Sequence, residues 1–265
     1  MESLKNKTTS IFGKCPEIFK RRVGHWKSRR SLDECDFLVV DDKDGYLGMC
    51  PLRSNMNVTV YENDKNLLYG GKYLYPFKNP HNDEIVYKEK TILGFEDRIN
   101  MEFLDTHAKL INENFYKSNI NEKYSYVATT RGLNLEQNID ISMIDKINKL
   151  KSCVKDDGYL YIEYYIALDS DDYETYPKNQ YLRYGEMKEY FNENDWDILF
   201  NTEKATTESI NQINKERKEI ILGIIDVRKR KKRVPKKRRK INNIASIQLS
   251  NDKKVRNYTI NGVFR

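Results

Sequence analysis

The sequence lacks the features that mark several large classes of protein. Its four cysteines, Cys15, Cys35, Cys50 and Cys153, are widely spaced, with no C-x-x-C pair and no cysteine–histidine cluster at zinc spacing. The three histidines show no metal-like spacing to one another either. The sequence therefore predicts reduced thiols in a reducing compartment and no metal centre.

The motifs of common nucleotide-binding and hydrolytic enzymes are also missing. The chain contains no G-x-x-x-x-G-K-[ST], no G-x-G-x-x-G and no G-x-S-x-G. No run approaches the ~18 apolar residues of a membrane-spanning helix. The N-terminal residues lack the apolar stretch of a secretory signal. We therefore expect an intracellular protein that has no membrane partner and belongs to none of these enzyme classes.

Positive charge is concentrated in one short segment. Residues 228–240 read RKRKKRVPKKRRK, in which eleven of the thirteen positions are basic. The whole chain carries a formal charge of +7, so removing these eleven cations leaves −4. The basic residues are Arg228, Lys229, Arg230, Lys231, Lys232, Arg233, Lys236, Lys237, Arg238, Arg239 and Lys240.

Three interpretations of this basic segment stay open. It is a nuclear-localisation signal, a nucleic-acid-binding segment that neutralises phosphates, or a solubilising tail. Nucleic acid is the expected partner, and its binding should be strongly salt-dependent. We expect nuclear residence in a eukaryotic cell and cytoplasmic residence otherwise.

Short apolar runs alternate with helical patterns between the two ends of the chain. Strands are predicted at residues 37–40, 57–61, 91–95, 124–128, 159–167, 196–200 and 219–227. Helical segments are predicted at 45–50, 64–69, 101–115, 141–154, 184–191 and around 210–218. Residues 72–90 are interpreted as a loop or insertion. The alternation predicts an α/β fold with a mostly parallel sheet and helices on its faces.

This pattern divides the chain into four segments. We expect a basic N-terminal extension at 1–30, an α/β domain at 31–227, the basic segment at 228–240 and a C-terminal extension at 241–265. The N-terminal extension is either a solvated cover for the domain or a further contributor to nucleic-acid binding.

The C-terminal half of the α/β domain resembles the class I S-adenosylmethionine-dependent methyltransferases. A D-D-G turn before YLYIEYY is similar to the approach to that family's fifth strand. Gly185, Glu186, Met187 and Phe191 are similar to its short helix of the GEL-x-x-x-F kind, and residues 196–200 and 220–228 to its last two strands. Within this family, the pattern is similar to that of the small tellurite-resistance-type methyltransferases. The resemblance implies a seven-stranded Rossmann-like sheet and S-adenosylmethionine as the cofactor.

The resemblance is weaker at the cofactor loop. The family's first strand enters a loop of the form D/E-x-G-x-G-x-G, where this chain has FLVVDDKDGYLGM. Gly45 and Leu47 match the last glycine and its neighbourhood, whereas acids, beginning with Asp41, replace the earlier glycines. The resemblance implies that Asp41, Gly45 and Leu47 contact the cofactor. Because acids repel the cofactor's carboxylate, the loop either binds the cofactor differently or does not bind it.

Three further cofactor contacts are implied by position in the family pattern. Glu62 ends the second strand, where an acid accepts hydrogen bonds from the ribose hydroxyls. Asp97 follows the presumed third strand, where an acid faces the adenine amine, and Thr129 ends the fourth strand. The alternative for both acids is a solvated residue at a strand end. The Asp/Asn-Pro-Pro-aromatic acceptor motif is absent, and the chain shows no identifiable Lys-Asp-Lys-Glu set, so no catalytic residue is assigned.

Two functional hypotheses follow. The first is a methyltransferase that acts on nucleic acid, with RNA favoured over DNA. The second is a catalytically inactive protein with the methyltransferase fold that serves as a nucleic-acid-binding or regulatory subunit, with a protein partner. The acids at positions 62 and 97 favour the first hypothesis, and the altered glycine loop favours the second.

Overall fold

The structure is a computed structural model of the full chain. It describes residues 20, 21, 23, 24, 35–42, 46–78, 82, 84–104, 107–130, 132–166, 181–211 and 216–231. Most of the N-terminal extension, Gly45 and the basic residues from Lys232 onward lie outside these ranges.

The described elements alternate between strands and short helices along most of the chain. The strands are β1 (Asp36–Val40), β2 (Asn57–Tyr61), β3 (Gly71–Lys78), β4 (Ile85–Ile92), β5 (Ala108–Ile111), β6 (Tyr124–Thr129), β7 (Val154–Ile166), β8 (Trp196–Asn211) and β9 (Glu216–Lys229). The α-helices are α1 (Tyr46–Leu52), α2 (Lys65–Tyr69), α3 (Phe95–Met101) and α4 (Met143–Ser152). Single 3₁₀ turns occupy Gly132–Asn134, Glu136–Asn138 and Glu186–Tyr190.

Seven of these strands form one sheet in the order β5-β2-β1-β6-β7-β9-β8. The strands from β5 to β7 are parallel, whereas β9 is antiparallel to both β7 and β8. The mostly parallel, seven-stranded Rossmann-like sheet expected from the sequence is therefore confirmed. The strand order reverses between β1 and β6, and open α/β sheets bind ligands beside the carboxyl ends of the strands at such a point.

Two apolar cores lie on opposite faces of the sheet, and β1 contributes to both. Phe37 and Val39 belong to the core that also contains residues of α1, α2 and α3. Leu38 and Val40 belong to the core that contains residues of α4. Because successive side chains of a strand point to opposite faces, a strand buried on both sides reads as a continuous apolar run. Helices therefore cover both faces, as expected.

An antiparallel hairpin, β3–β4, is inserted between α2 and α3. The insertion expected at 72–90 is thus present, as a separate two-stranded sheet. The strand predicted at 91–95 and the helix predicted at 101–115 are wrong, because β4 ends at Ile92 and the third parallel strand is β5. Phe103 was one of the apolar residues that indicated this helix, but it is 89% exposed in a turn with φ of +55°.

The connection between the last two strands also differs from expectation. A helical segment was predicted around residues 210–218, but β8 continues to Asn211 and β9 begins at Glu216. The sequence KATTESI in this region is rich in β-branched residues, which favour an extended pleated strand over a helix. The domain therefore ends in one long antiparallel hairpin.

Candidate functional site

Polar residues meet at the carboxyl ends of three neighbouring strands. Asp41 and Asp42 follow β1, Glu62 follows β2, and Thr129 and Thr130 lie at the end of β6. All five residues are buried. Three of the residues predicted to bind the cofactor, Asp41, Glu62 and Thr129, are thus brought to one edge of the sheet, at the point where the strand order reverses.

Asp41 turns the chain away from β1. Its backbone is left-handed, with φ of +49°, and its N–H donates to the carbonyl oxygen of Tyr61 at 2.9 Å. Its own carbonyl oxygen accepts a hydrogen bond from the Thr130 hydroxyl at 3.2 Å. Aspartate is one of the few residues that tolerate a left-handed backbone. Glycine is the residue usually favoured for such a turn, and the family loop has glycine at this place. Asp41 therefore makes the same turn without glycine.

Asp42 contacts the first turn of α1. Its Oδ2 atom accepts a hydrogen bond from the backbone N–H of Gly48 at 3.1 Å. The first N–H groups of a helix have no partner within the helix, and a carboxylate is stabilised there. The side chain of Leu47 lies in the apolar core, so only its backbone can contribute to a ligand site.

Hydrogen bonds hold both the side chain and the backbone of Glu62 in place. Its Oε1 atom accepts a hydrogen bond from the backbone N–H of Asp64 at 2.9 Å, just before α2 begins. Its backbone N–H donates to Ile111 of β5 at 3.1 Å, and its carbonyl oxygen accepts from Nδ2 of Asn112 at 2.9 Å. A carboxylate fixed in this way can accept hydrogen bonds from a ligand without reorganising.

Asp97 does not follow a strand, contrary to the prediction. It lies in the first turn of α3, where its Oδ2 atom accepts a hydrogen bond from the Gly94 N–H at 2.9 Å. The residues that follow the third parallel strand are Asn112 and Glu113. Sequence reasoning missed them because β5 has only four residues, one of which is a lysine.

Replacing Asp97 with alanine therefore tests whether this residue caps α3 and does not contact the cofactor. We expect a loss of about 1 kcal/mol in the free energy of unfolding, because the cap at the start of α3 disappears. Affinity for S-adenosylhomocysteine should stay within about twofold of wild type, a change of ~0.4 kcal/mol or less. Urea denaturation and calorimetric titration measure the two quantities. A stable variant with strongly weakened binding would return Asp97 to the site.

The loop after β6 is fixed by hydrogen bonds of its backbone and side chains. The Gly132 N–H donates to Oγ1 of Thr129 at 2.9 Å, and the Gly132 carbonyl oxygen accepts from Nδ2 of Asn138 at 3.2 Å. Oδ1 of Asn134 accepts from the backbone N–H of Tyr165 at 2.9 Å. The loop is thereby tied to the end of β7.

Lys146 of α4 also stabilises the loop after β6. Its side chain is fully buried, and its Nζ atom donates to the carbonyl oxygen of Leu133 at 2.9 Å. Removal from water lowers the pKa of Lys146 to about 8, and the nearby Asp140 carboxylate opposes this shift. The sequence IDKINKLKS gave no signal for this role, since lysine in an amphipathic helix is usually exposed.

Gly132 is enclosed by polar groups of the site. A Cβ atom at this position would lie 2.6 Å from the Tyr116 hydroxyl, 2.7 Å from Oγ1 of Thr129 and 3.1 Å from Oδ2 of Asp41. Burial and the charge of Asp41 raise the pKa of Tyr116 well above its ordinary value. The phenol therefore stays protonated and can donate a hydrogen bond.

The first cations of the basic segment are bound to the domain. Arg228 Nε donates to Oδ1 of Asp157 at 2.8 Å, and Lys229 Nζ donates to the carbonyl oxygen of Val154 at 3.0 Å. Arg230 Nε donates to Oδ1 of Asp197 at 2.6 Å. Arg228 and Lys229 belong to β9, so the sheet continues beyond the expected domain end at 227.

Two kinds of feature are missing from the described residues, a group of candidate metal ligands and a helix that could span a membrane. In the described ranges, no three His, Cys, Asp or Glu side chains are grouped so that they could hold a metal ion. Among the described helices, none is long and apolar enough to cross a membrane.

Comparison with known proteins finds similar structures but no similar sequence family. No protein-family model and no curated protein sequence matches this chain. The structure is similar to TehB from Haemophilus influenzae, with 16% identity over 80% of this chain and 62% of TehB, and a TM-score of 0.54. It is also similar to the YcgJ protein from Bacillus subtilis, with 6% identity over 80% of this chain and 98% of that chain, and a TM-score of 0.50. A further similar structure is magnesium protoporphyrin IX methyltransferase (ChlM) from Synechocystis PCC 6803 with bound SAH. The identity is 10% over 80% of this chain and 81% of that chain, and the TM-score is 0.47.

The chain therefore spans about three fifths of the length of TehB, 62% of it. It has the class I methyltransferase fold, which confirms the resemblance found in the C-terminal half of the sequence.

Proposed function

We propose that this chain, which has the class I methyltransferase fold, is an S-adenosylmethionine-dependent methyltransferase whose acceptor is a nucleic acid, RNA in particular. The observation that carries the enzymatic part is the group of buried carboxylates and hydroxyls at the reversal of strand order between β1 and β6. A nucleoside cofactor fits this group because its hydroxyl and amino groups donate hydrogen bonds.

The residues present suit the adenosine half of the cofactor. Glu62 offers a buried carboxylate that is already fixed by the Asp64 N–H, and a carboxylate has two oxygens with which to accept ribose hydroxyls. We assign Asn112 and Glu113, which follow β5, to the adenine side as part of the proposal. The carboxylates of Glu62 and Glu113 would hold the nucleoside through charge-assisted hydrogen bonds, which are the stronger kind, and Asn112 through a neutral one.

The methionine half meets a more acidic surface than the family loop provides. The carboxylate of Asp42 already accepts the Gly48 N–H at the start of α1. Buried carboxylates at the end of β1 favour the sulfonium and ammonium groups of the cofactor and disfavour its carboxylate. The positive groups of the cofactor, rather than its carboxylate, would therefore lie near Asp41 and Asp42.

Little further catalytic apparatus is needed for this reaction. The cofactor supplies an already activated methyl group when it is bound. The protein's task is then to align the acceptor with that group and to keep the site rigid. The pinned loop after β6, held by Asn138 and Lys146, serves this purpose beside the acceptor region.

The acceptor class rests on the basic segment. Residues 231–240 still contain eight of its eleven cations after Arg228, Lys229 and Arg230 are assigned to ion pairs within the domain. A run of this density supports binding to phosphates.

The contact of Asp42 with Gly48 favours the second candidate, an inactive subunit with the same fold, because it occupies an amide that a ligand carboxylate could use.

Calorimetric titration with S-adenosylhomocysteine separates the two candidates. An active enzyme should bind it with a dissociation constant on the order of micromolar, about −8 kcal/mol. Labelled methyl transfer to RNA, DNA and protein fractions would then identify the acceptor, with RNA expected. A protein that is folded by circular dichroism but shows no heat of binding would be assigned to the inactive subunit.

A further inference from the structure

Amide side chains link the loops that surround the candidate site. Nδ2 of Asn112, after β5, donates to the carbonyl oxygens of Glu62 at 2.9 Å and Asn63 at 3.2 Å, after β2. Nδ2 of Asn63 in turn donates to Oε1 of Gln137, in the loop after β6, at 2.8 Å. Because β1 lies between β2 and β6 in the sheet, the Asn63–Gln137 bond spans the carboxyl end of β1.

The backbone on each side of that bond is fixed by other hydrogen bonds. On the β6 side, Nδ2 of Asn114 donates to Oδ1 of Asn138 at 2.9 Å, and Nδ2 of Asn138 donates to the carbonyl oxygen of Gly132 at 3.2 Å. Asn138 is fully buried, so these bonds are shielded from competition by water. On the β2 side, the amide of Asn112 holds the backbone of Asn63. Rotation of two side chains is therefore enough to break the bond between the loops.

The Asn63–Gln137 bond itself is exposed and uncharged. Both residues are exposed, so water competes with the two side chains for the same hydrogen bond. A neutral hydrogen bond of this kind contributes little net stability, and the rotamers of exposed side chains change within nanoseconds. The bond therefore opens and closes readily, while the buried bonds beside it persist.

Access to the candidate site requires an opening of this kind. Glu62, assigned above to the ribose, is 3% exposed, and Thr129 at the end of β6 is fully buried. Asn63 directly follows Glu62, so the bond lies at the edge where a ligand approaches the strand ends. We propose that the Asn63–Gln137 bond is a gate, which opens to admit the nucleoside and closes again over it; this inference rests on the proposed S-adenosylmethionine site.

Gln137→Ala and Asn63→Ala each remove one partner of the gate. We expect the association and dissociation rates of S-adenosylhomocysteine both to rise roughly fivefold, the effect of losing one neutral hydrogen bond. The dissociation constant should stay within about twofold of wild type, because the bond closes the site in the free and the bound protein alike. Loss of a direct ligand contact would instead act mainly on the dissociation rate. Surface plasmon resonance with the full-length protein measures both rates.

A double variant and a matched control complete the experiment. N63A/Q137A should be no faster than either single variant, since each change already removes the whole bond. Asn194→Ala, at another exposed asparagine, should leave both rates within about twofold of wild type. Circular dichroism checks the fold of each variant.

Two kinds of failure are distinguishable. Wild-type rates in both single variants, a weaker affinity with an unchanged association rate, or single effects that multiply in the double variant would each overturn the gate and leave the nucleoside site in place. No binding of S-adenosylhomocysteine by the wild type and all variants would overturn the proposed function, and the gate with it.

Discussion

Replacing Glu62 with alanine is expected to weaken the binding of S-adenosylhomocysteine roughly tenfold or more, because a hydrogen bond to a charged group contributes about 1.5–3 kcal/mol. The carboxylate is buried at the end of β2 and fixed by the Asp64 N–H, so no other side chain is expected to replace it. Calorimetry at a temperature well below the unfolding transition measures the affinity.

Glu62→Gln provides the matched comparison. Glutamine keeps the size of the side chain and an oxygen that can accept the Asp64 N–H, but it loses the charge and one acceptor. We expect an affinity between those of wild type and the alanine variant, with a stability close to wild type. If the alanine variant is folded and binds as tightly as wild type, the ribose assignment is wrong and the nucleoside lies elsewhere.

Replacing Gly94 with alanine is expected to produce the largest loss of stability, about 3 kcal/mol, which is at the upper end of the range for overpacking. A Cβ atom there would lie 1.9 Å from the nitrogen of Gly70, 2.4 Å from the carbonyl carbon of Tyr69 and 2.8 Å from the oxygen of Leu68. All three are backbone atoms, so relief requires α2 and α3 to move apart. Thermal unfolding should show a decrease in Tm of about 6–12 °C for a domain of this size.

Gly24→Ala is the control for this substitution. A Cβ atom on Gly24 would have nothing within 4 Å, so its effect on the free energy of unfolding should lie within about 0.5 kcal/mol of zero. Equal stability of the two variants would show that the tight contact between Gly70 and Gly94 is not part of the native protein.

The sequence predicted the central strands well for a physical reason. The strands β1, β2, β6 and β7 are buried on both faces, and such strands appear as apolar runs that end in polar residues. The edge strand β5 has only four residues and includes Lys109, so it gave no comparable signal. The sequence instead predicts the third strand at residues 91–95 and a helix at 101–115, so Asp97 was assigned to the end of the wrong segment.

The candidate site was predictable only as far as it follows strand ends. Glu62 and Thr129 could be placed because the carboxyl ends of parallel strands meet at one edge. The contact of Asp42 with Gly48 and the support of Leu133 by Lys146 could not be predicted. Both depend on how helices pack against loops, and the residues involved have no distinctive spacing in the chain.

The contact between Gly70 and Gly94 also bears on how the sequence of such a protein can diverge in evolution. The chain leaves α2 and re-enters at α3 from nearly the same point, so the segment between them closes on itself. A segment with adjoining ends can be lengthened, shortened or exchanged without disturbing the strand order, because loop-closure entropy depends only weakly on length. The junction is therefore a natural place for a common scaffold to acquire a new specificity while the edge formed by the carboxyl ends of β1, β2 and β6 is left intact.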